Sequence, residues 1–409
     1  MRYGFRLALV ALLSALALCQ PALAGPALLF DAASGAVIYS EDVDQVWHPA
    51  SLTKLMTAYV TFKALKEGKL KLDQKLTVGQ NGFKAPPSKL GLKVGDTIVA
   101  DLAIKAMVVK SANDMAITIA ETLGGSEAGF AELMNAEAKR LGMTKSHYAN
   151  ASGLPHDAQL TSARDLALLT KAIITDFPDQ AFLFSMASVK VGGKDVETHN
   201  TLLKTYDGAD GMKTGFICDS GYNIVASATR DGHRLVAVVL GEQSSASRNV
   251  RAAAMLDFGF QNYLWKTLFN QTTVETVEGA PTDTATPASL RKEVSSCVAH
   301  DSAKAKAEAR AKARAEKRKA GKTDVATAAV PSAAGKDKAA ATGKKSTAAG
   351  TATAKVQPAA VKAAVPAVSG TASTQAPADT VAGKADKKKT VKLKPTATPP
   401  AANTAVATP

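Results

Sequence analysis

Cysteine is scarce in this 409-residue chain, with three in all. That excludes a disulfide-stapled scaffold and leaves room for one covalent link at most once Cys19, which lies in a leader-like segment, is set aside. The six histidines, at 48, 147, 156, 199, 233 and 300, form no H-x-x-x-H or other close ligand pair, so no metal site is expected. No glycine-rich loop matches a phosphate-binding or dinucleotide fingerprint, and no cofactor is implied. Beyond the leader, no stretch has the length and apolarity of a membrane helix. From Asp301 onward there is no aromatic residue and a single leucine, Leu393, so this stretch cannot bury enough apolar area to fold. Without aromatics to stack on bases, and in an exported chain, its basic character does not point to nucleic acid.

What is present begins with a leader. Arg2 and Arg6 precede an apolar run from Leu7 to Leu18, and Ala22-Leu23-Ala24 supplies small residues for cleavage before Gly25. Residues 1–24 read as a cleaved signal peptide, and the mature protein as exported, periplasmic or extracytoplasmic. Lipid attachment at Cys19 is disfavoured by Leu18, where a small residue is wanted. The formal charge of +14 is uneven: residues 301–409 hold 21 Lys+Arg and 7 Asp+Glu, while residues 1–300 hold 29 of each. The globular part is neutral and the tail carries the excess. Cys218 and Cys297 can oxidise to a disulfide in an exported chain. The plainer expectation is a free, mostly buried thiol at Cys218.

Ala27 to Tyr39 reads as a hairpin turning at Ser34-Gly35. After Pro49 a helix begins near Ser51, with Leu52, Leu55, Met56, Tyr59 and Phe62 at helical spacing. The pattern stays helical from Leu102 to Leu123, broken at Gly124-Gly125, and again over Ala131–Leu141 and Thr161–Ile174. Gly221–Arg230 and His233–Gly241 then read as strands joined by Asp231-Gly232, a favoured two-residue hairpin turn. Ala252–Trp265 follows as a closing helix. Strands near both ends with helices between them predict an α+β fold: one antiparallel sheet assembled from distant segments, helices packed around it, and a helical middle. The boundaries expected are a domain over 25–270, a linker over 271–300 and a disordered basic tail over 301–409, in which Ala303–Ala320 has helical propensity but no apolar stripe.

Three motifs in order carry the chemistry: Ser51-Leu52-Thr53-Lys54, Ser111-Ala112-Asn113 and Lys213-Thr214-Gly215. Ser51 and Lys54 are one helical turn apart and share a face. A serine hydroxyl near neutral pH needs a base to take its proton, and Lys54 serves if burial or a neighbouring cation such as Lys213 keeps its amine partly neutral. Ser111 is placed to relay the proton to a leaving amine, and Asn113 to hold a substrate amide. Lys213 and Thr214 suit a terminal carboxylate, and Gly215 allows a substrate backbone close approach. Singly, Ser51 is a helix-start residue, Lys54 a solvated lysine and Ser111 a cap; the joint occurrence in an exported chain favours the catalytic reading.

These motifs match the S-x-x-K, S-x-N and K-T-G set of penicillin-binding proteins and serine β-lactamases, with Ala112 where the class A pattern has Asp. Over about Ala27–Trp265 the chain resembles the low-molecular-mass penicillin-binding proteins that act as serine-type D-alanyl-D-alanine carboxypeptidases, with a β-lactamase/transpeptidase-like fold. Pro49–Thr57, Ser111–Asp114, and Gly211–Phe216 followed by Ser220-Gly221-Tyr222-Asn223 carry the likeness. Leu141-Gly142-Met143, Gly153-Leu154-Pro155 and Ala163–Leu166 look like the family's helical landmarks. The resemblance implies that Ser51 attacks the penultimate D-Ala carbonyl of a peptidoglycan stem peptide and that Lys54 accepts its proton. It implies that Ser111 and Asn113 complete the proton path and substrate contact. Lys213, Thr214 and an arginine at the spacing of Arg248 would hold the substrate end, and the backbone N–H groups of Ser51 and Phe216 would form an oxyanion hole. β-Lactams are the implied inhibitors. Ile217-Cys218 departs from the polar pair often found after the third motif, and the family's β-domain and amphipathic anchor are replaced here by the basic tail.

The enzyme rivals are a β-lactamase and a DD-endopeptidase on the same fold. For the first, Glu132-Leu133-Met134-Asn135 echoes a deacylation motif, but Glu132 falls mid-helix and reads as a surface residue. The rival of another class is a non-catalytic wall-binding protein whose tail meets an anionic wall polymer or membrane surface. His48, beside Pro49, reads as structural.

Overall fold

Asp231 and Gly232 both take left-handed backbone angles (φ 50° and 78°), the geometry that lets a two-residue turn follow the twist of the strands it joins. They link β8 (Gly221–Arg230) to β9 (His233–Glu242), as the sequence predicts. A computed structural model describes residues 25–269, 272–279 and 286–326, with side chains as far as 311; the expected signal peptide, residues 1–24, and the tail beyond 326 lie outside the described residues. The other strands are β1 (Ala27–Asp31), β2 (Val37–Glu41), β3 (Lys75–Thr77), β4 (Thr97–Val99), β5 (Ser188–Val191), β6 (Lys194–Glu197) and β7 (Ala209–Ile217). The longer helices are α1 (Thr53–Lys66), α2 (Ala100–Val109), α3 (Asn113–Gly124), α4 (Glu127–Arg140), α5 (Ala163–Asp176), α6 (Ser245–Phe269) and α7 (Ser295–Ala326).

The main sheet has the order β2-β1-β9-β8-β7 and is antiparallel throughout. β1 pairs with β9 across some 200 residues, Leu28 opposite Val238, so the first and last strands meet at the centre. Both faces are covered. Leu28, Phe30, Val225, Val236 and Val238 face the helical side. Leu29, Ile224, Ala226, Leu235 and Ala237 face α6 through Ala252, Met255 and Leu256. This is the two-residue alternation of a strand, hidden in the sequence because neither face meets water. Gly259 permits the close helix packing: a β-carbon there would stand 2.7 Å from Leu235 and 2.8 Å from Leu29.

α1 is buried on every side from Thr53 to Phe62, and its polar groups are satisfied internally; Thr57 Oγ1, for example, donates to the Ala151 carbonyl at 2.6 Å. A helix so enclosed is a rigid mount for what its first turn carries. α5 starts as predicted, with Ser162 capping the Asp165 N–H at 3.2 Å.

The structure corrects four expectations. The single helical run from Leu102 to Leu123 is two helices, α2 and α3, interrupted at Lys110–Ala112, with Ser111 in the left-handed region (φ 60°). Both halves face one core, so hydrophobic periodicity runs through the break. Short hairpins β3–β4 and β5–β6 also form among segments with no strand signal. The described parts of the expected linker, 272–279 and 286–300, pack on the domain: Thr273 bridges Ala36, and Val274, Val277, Leu290 and Val294 are buried in the main core. Scattered apolar residues in a loop carry no period, which is why they read as a fading core. Cys218 is not a free thiol; it is joined to Cys297, with an S–S distance of 2.08 Å. The two cysteines are 79 residues apart, so the bond restrains a long stretch of the unfolded chain. Reduction, or Cys297→Ser, is expected to cost about 2–4 kcal/mol, read as a lower unfolding temperature. An unchanged midpoint in reductant would remove that role.

Candidate active site

Ser51 sits in a short 3-10 turn, Ala50–Leu52, that runs directly into α1. Three contacts fix that turn. Asn223 of β8 donates its side-chain N–H to the carbonyls of His48 (3.0 Å) and Pro49 (3.3 Å). His48 is structural, as expected, with Nδ1 2.9 Å from the Gln159 carbonyl. Gly215 of β7 lies so close that a β-carbon there would be 2.9 Å from the Pro49 carbonyl and 3.1 Å from the Ser51 nitrogen. The glycine of the third motif therefore serves first to let β7 reach the turn that carries Ser51, a reason the sequence does not reveal.

Lys54, one turn into the helix, is 1 % exposed. Its Nζ donates to Ser51 Oγ at 3.1 Å, Asn113 Oδ1 at 2.7 Å and the Ser152 carbonyl at 2.5 Å. Burial, and then the charge of Lys213, hold its pKa well below the usual lysine range, while Asp114 and Glu127 pull weakly the other way. A charged ammonium donates to all three oxygens. A neutral amine keeps the two carbonyl-type acceptors, Asn113 and Ser152, and turns its lone pair on Ser51 Oγ. That is the geometry of a general base within reach of its proton.

Lys213 on β7 is equally enclosed. Its Nζ donates to Ser111 Oγ at 2.9 Å and to the Thr214 carbonyl at 3.0 Å, and burial, followed by Arg248, pushes its pKa down to about 7. Ser111 is thus paired with Lys213, its hydroxyl presented by the left-handed kink between α2 and α3. Asn113 is committed at both ends, to Lys54 and, through Nδ2, to the Pro86 carbonyl at 2.9 Å. Arg248, in the first turn of α6, is 5 % exposed and held down to about 10 by burial.

A cleft of about 710 Å³ opens between these elements, lined by Ser51, Ser111, Asn113, Thr214, Phe216 and Arg248, with Gly215 in its wall. Lys54, Lys213 and Arg248 are buried basic groups, and among the described residues none forms an ion pair with a carboxylate. Buried charge without a counter-ion is costly, which disfavours the charged forms of the two lysines and leaves Arg248 as a buried cation beside the cleft.

Gly153-Leu154-Pro155, expected as a helical landmark, is a loop, and the Ser152 carbonyl beside it is the acceptor that sequence reading missed. Asn150 shapes this loop by accepting the Gly153 N–H at 2.7 Å, and Gly153 itself (φ 78°) lies against the Ala50 carbonyl, leaving no space for a β-carbon. Asn150, Gly153 and Pro155 within six residues were the available signal; a backbone carbonyl has none. His199 and Asn249 also line the cleft unannounced. Glu132 is exposed on α4, as expected, and offers no carboxylate to the cleft.

Comparison with known proteins adds a family model described as D-alanyl-D-alanine carboxypeptidase, which matches residues 17–244. The chain is 38 % identical over 242 residues to the D-alanyl-D-alanine carboxypeptidase DacC of Escherichia coli K12, covering 57 % of this chain and 60 % of that one. It is 31 % identical over 252 residues to DacF of Bacillus subtilis, covering 60 % and 65 %. The match thus spans about three-fifths of these relatives' length. Among solved structures, penicillin binding protein 5 from Haemophilus influenzae aligns with a TM-score of 0.57 at 33 % identity, over 58 % of this chain and 71 % of that one. Penicillin-Binding Protein D2 from Listeria monocytogenes, in its ampicillin-bound form, aligns at 0.54 and 32 %, over 58 % and 97 %.

Proposed function

Because the chain belongs to the D-alanyl-D-alanine carboxypeptidase family, we propose that it removes the terminal D-Ala from peptidoglycan stem peptides through an acyl-enzyme on Ser51. The observation that carries this reading is the 3.1 Å contact between Ser51 Oγ and a buried Lys54 whose proton is weakly held. Lys54 takes the hydroxyl proton as Oγ adds to the penultimate D-Ala carbonyl. The backbone N–H groups of Ser51 and Phe216 receive the oxyanion. Ser111, backed by Lys213, returns a proton to the departing D-Ala nitrogen, and the leaving residue's carboxylate meets Lys213, Thr214, and Arg248. Water then adds to the ester carbonyl and gives its proton to the Ser111–Lys213 pair, and Ser51 Oγ departs with the proton that Lys54 held. β-Lactams enter the same cleft and stop at the acyl stage. The enzyme would act outside the cytoplasm. Its basic tail would touch an anionic wall polymer or membrane surface, an assignment that salt-independent pelleting with peptidoglycan would remove.

Mass spectrometry after exposure to benzylpenicillin is expected to find one adduct, on the peptide containing Ser51, and the enzyme is expected to release D-Ala from a D-Ala-D-Ala peptide. An adduct elsewhere, or none, would overturn the reading. The carboxylate role is tested separately. Arg248→Ala should lower kcat/KM for a peptide with a free terminal carboxylate by about 10- to 100-fold, the ~1.5–3 kcal/mol of a charge-assisted contact. The same peptide amidated should lose far less. Equal losses would remove Arg248 from substrate binding.

A further inference from the structure

The arginines on this domain are otherwise paired with carboxylates. Arg251 meets Glu41 at 2.8 Å and Glu242 at 3.2 Å, and Arg164 meets Asp44 at 2.6 Å. Arg248, one turn before Arg251 on the same helix and more deeply buried, has a different partner: its Nε and Nη2 both donate to the side-chain oxygen of Asn249, at 3.0 and 2.9 Å. The fork that elsewhere grips a carboxylate is here closed on a neutral amide.

The amide's orientation is fixed from its other end. Asn249 Nδ2 donates to Thr201 Oγ1 at 2.6 Å, so the oxygen must face Arg248, which has only donors to offer. Thr201 belongs to a loop that is itself tied to β7, since Asn200 Nδ2 donates to the Gly211 carbonyl at 3.0 Å. On the helix side, Ser244 and Ser247 exchange side-chain and backbone hydrogen bonds at 3.0 and 3.2 Å, which fixes the first turn of α6. Arg248 is therefore held between helix, loop and strand by groups without charge, and it lines the cleft beside Thr214.

We propose that Asn249 is a positioning residue for the substrate's terminal carboxylate: its uncharged oxygen aims the Arg248 guanidinium without consuming its charge. The inference rests on the reading of Arg248 as the carboxylate-binding group. A carboxylate at 249 would satisfy the same two N–H groups with nearly the same shape, but it would neutralise the cation and compete with the substrate. An amide orients the cation and leaves it unneutralised for the incoming anion.

The test uses Asn249→Ala and Asn249→Asp in the full chain, with kcat and KM measured on a D-Ala-D-Ala peptide in its free-acid and amidated forms. For the free acid, Asn249→Ala is expected to lower kcat/KM about tenfold, mostly through KM, as an ion-assisted contact loses its alignment. Asn249→Asp is expected to lose at least as much although it preserves the shape. Turnover of the amidated peptide is expected to stay within about threefold for both variants, and this doubles as the check on folding. A merely structural Asn249 predicts the reverse order, with Asp tolerated and Ala damaging to both peptides; that result would overturn the proposal, as would an Asp variant equal to wild type. If the wild-type enzyme releases neither D-Ala from the free acid nor D-alaninamide from the amidated peptide, the reading of the function itself fails, a result distinct from any ranking of the variants.

Discussion

Ser51→Ala is expected to leave no penicillin adduct and to lower D-Ala release by roughly 10⁴- to 10⁶-fold, the scale on which serine hydrolases lose activity with their nucleophile. The fold should survive. Ser51 is half-buried at the cleft, in a 3-10 turn whose position is set by Asn223 from β8 and by the close packing of Gly215, and its hydroxyl serves neither contact. The measurement is intact mass after incubation with benzylpenicillin, together with D-Ala release. A stable adduct on the Ala variant would move the nucleophile elsewhere, and Ser111 would be the first residue to map, since it lines the same cleft and is bound to a lysine of weakened basicity.

Lys54→Arg carries the second large effect. A guanidinium keeps the positive charge but stays protonated in proteins, so it can donate to Asn113 and Ser152 but cannot accept from Ser51. Acylation by benzylpenicillin should fall by at least ~100-fold, the lower end for loss of general base catalysis. The pH profile of the wild-type enzyme gives an independent check. Burial and Lys213 lower the Lys54 pKa by disfavouring the charged amine. The neutral form is thus populated at lower pH than for a solvated lysine, and the acid limb of kcat/KM should lie well below the ordinary lysine value of about 10.4. Near-normal acylation by the Arg variant, or an acid limb at the ordinary lysine value, would assign the base to another group.

Much of the site was legible because its chemistry resides in side chains. Ser51 and Lys54 are related by helical spacing alone. Asp231-Gly232 prescribes its own turn, and Ser162 its own helix start. These are local relations, set by bond geometry and by hydrogen bonds that span a few residues. Arg248 was pointed to only by the family resemblance, and nothing in the sequence showed that its partner would be the amide next to it.

The remaining features depend on which surfaces meet. The break at Ser111 is invisible to hydrophobic periodicity because α2 and α3 bury their apolar faces in one core. The Cys218–Cys297 bond and the packing of Val274, Val277, Leu290 and Val294 follow from a return of the chain across the finished domain, where a loop with no period finds buried places. The acceptor that completes the environment of Lys54 is the carbonyl of Ser152, a group that every residue carries and that no letter distinguishes. The sequence by itself determined the helical pairing of Ser51 with Lys54, the strand that carries Lys213 and the turns that join local elements. The tertiary structure decided how weakly Lys54 and Lys213 hold their protons and where an unpaired arginine faces the cleft. Burial and proximity set those properties, and both arise only when segments far apart in the chain close around the same space.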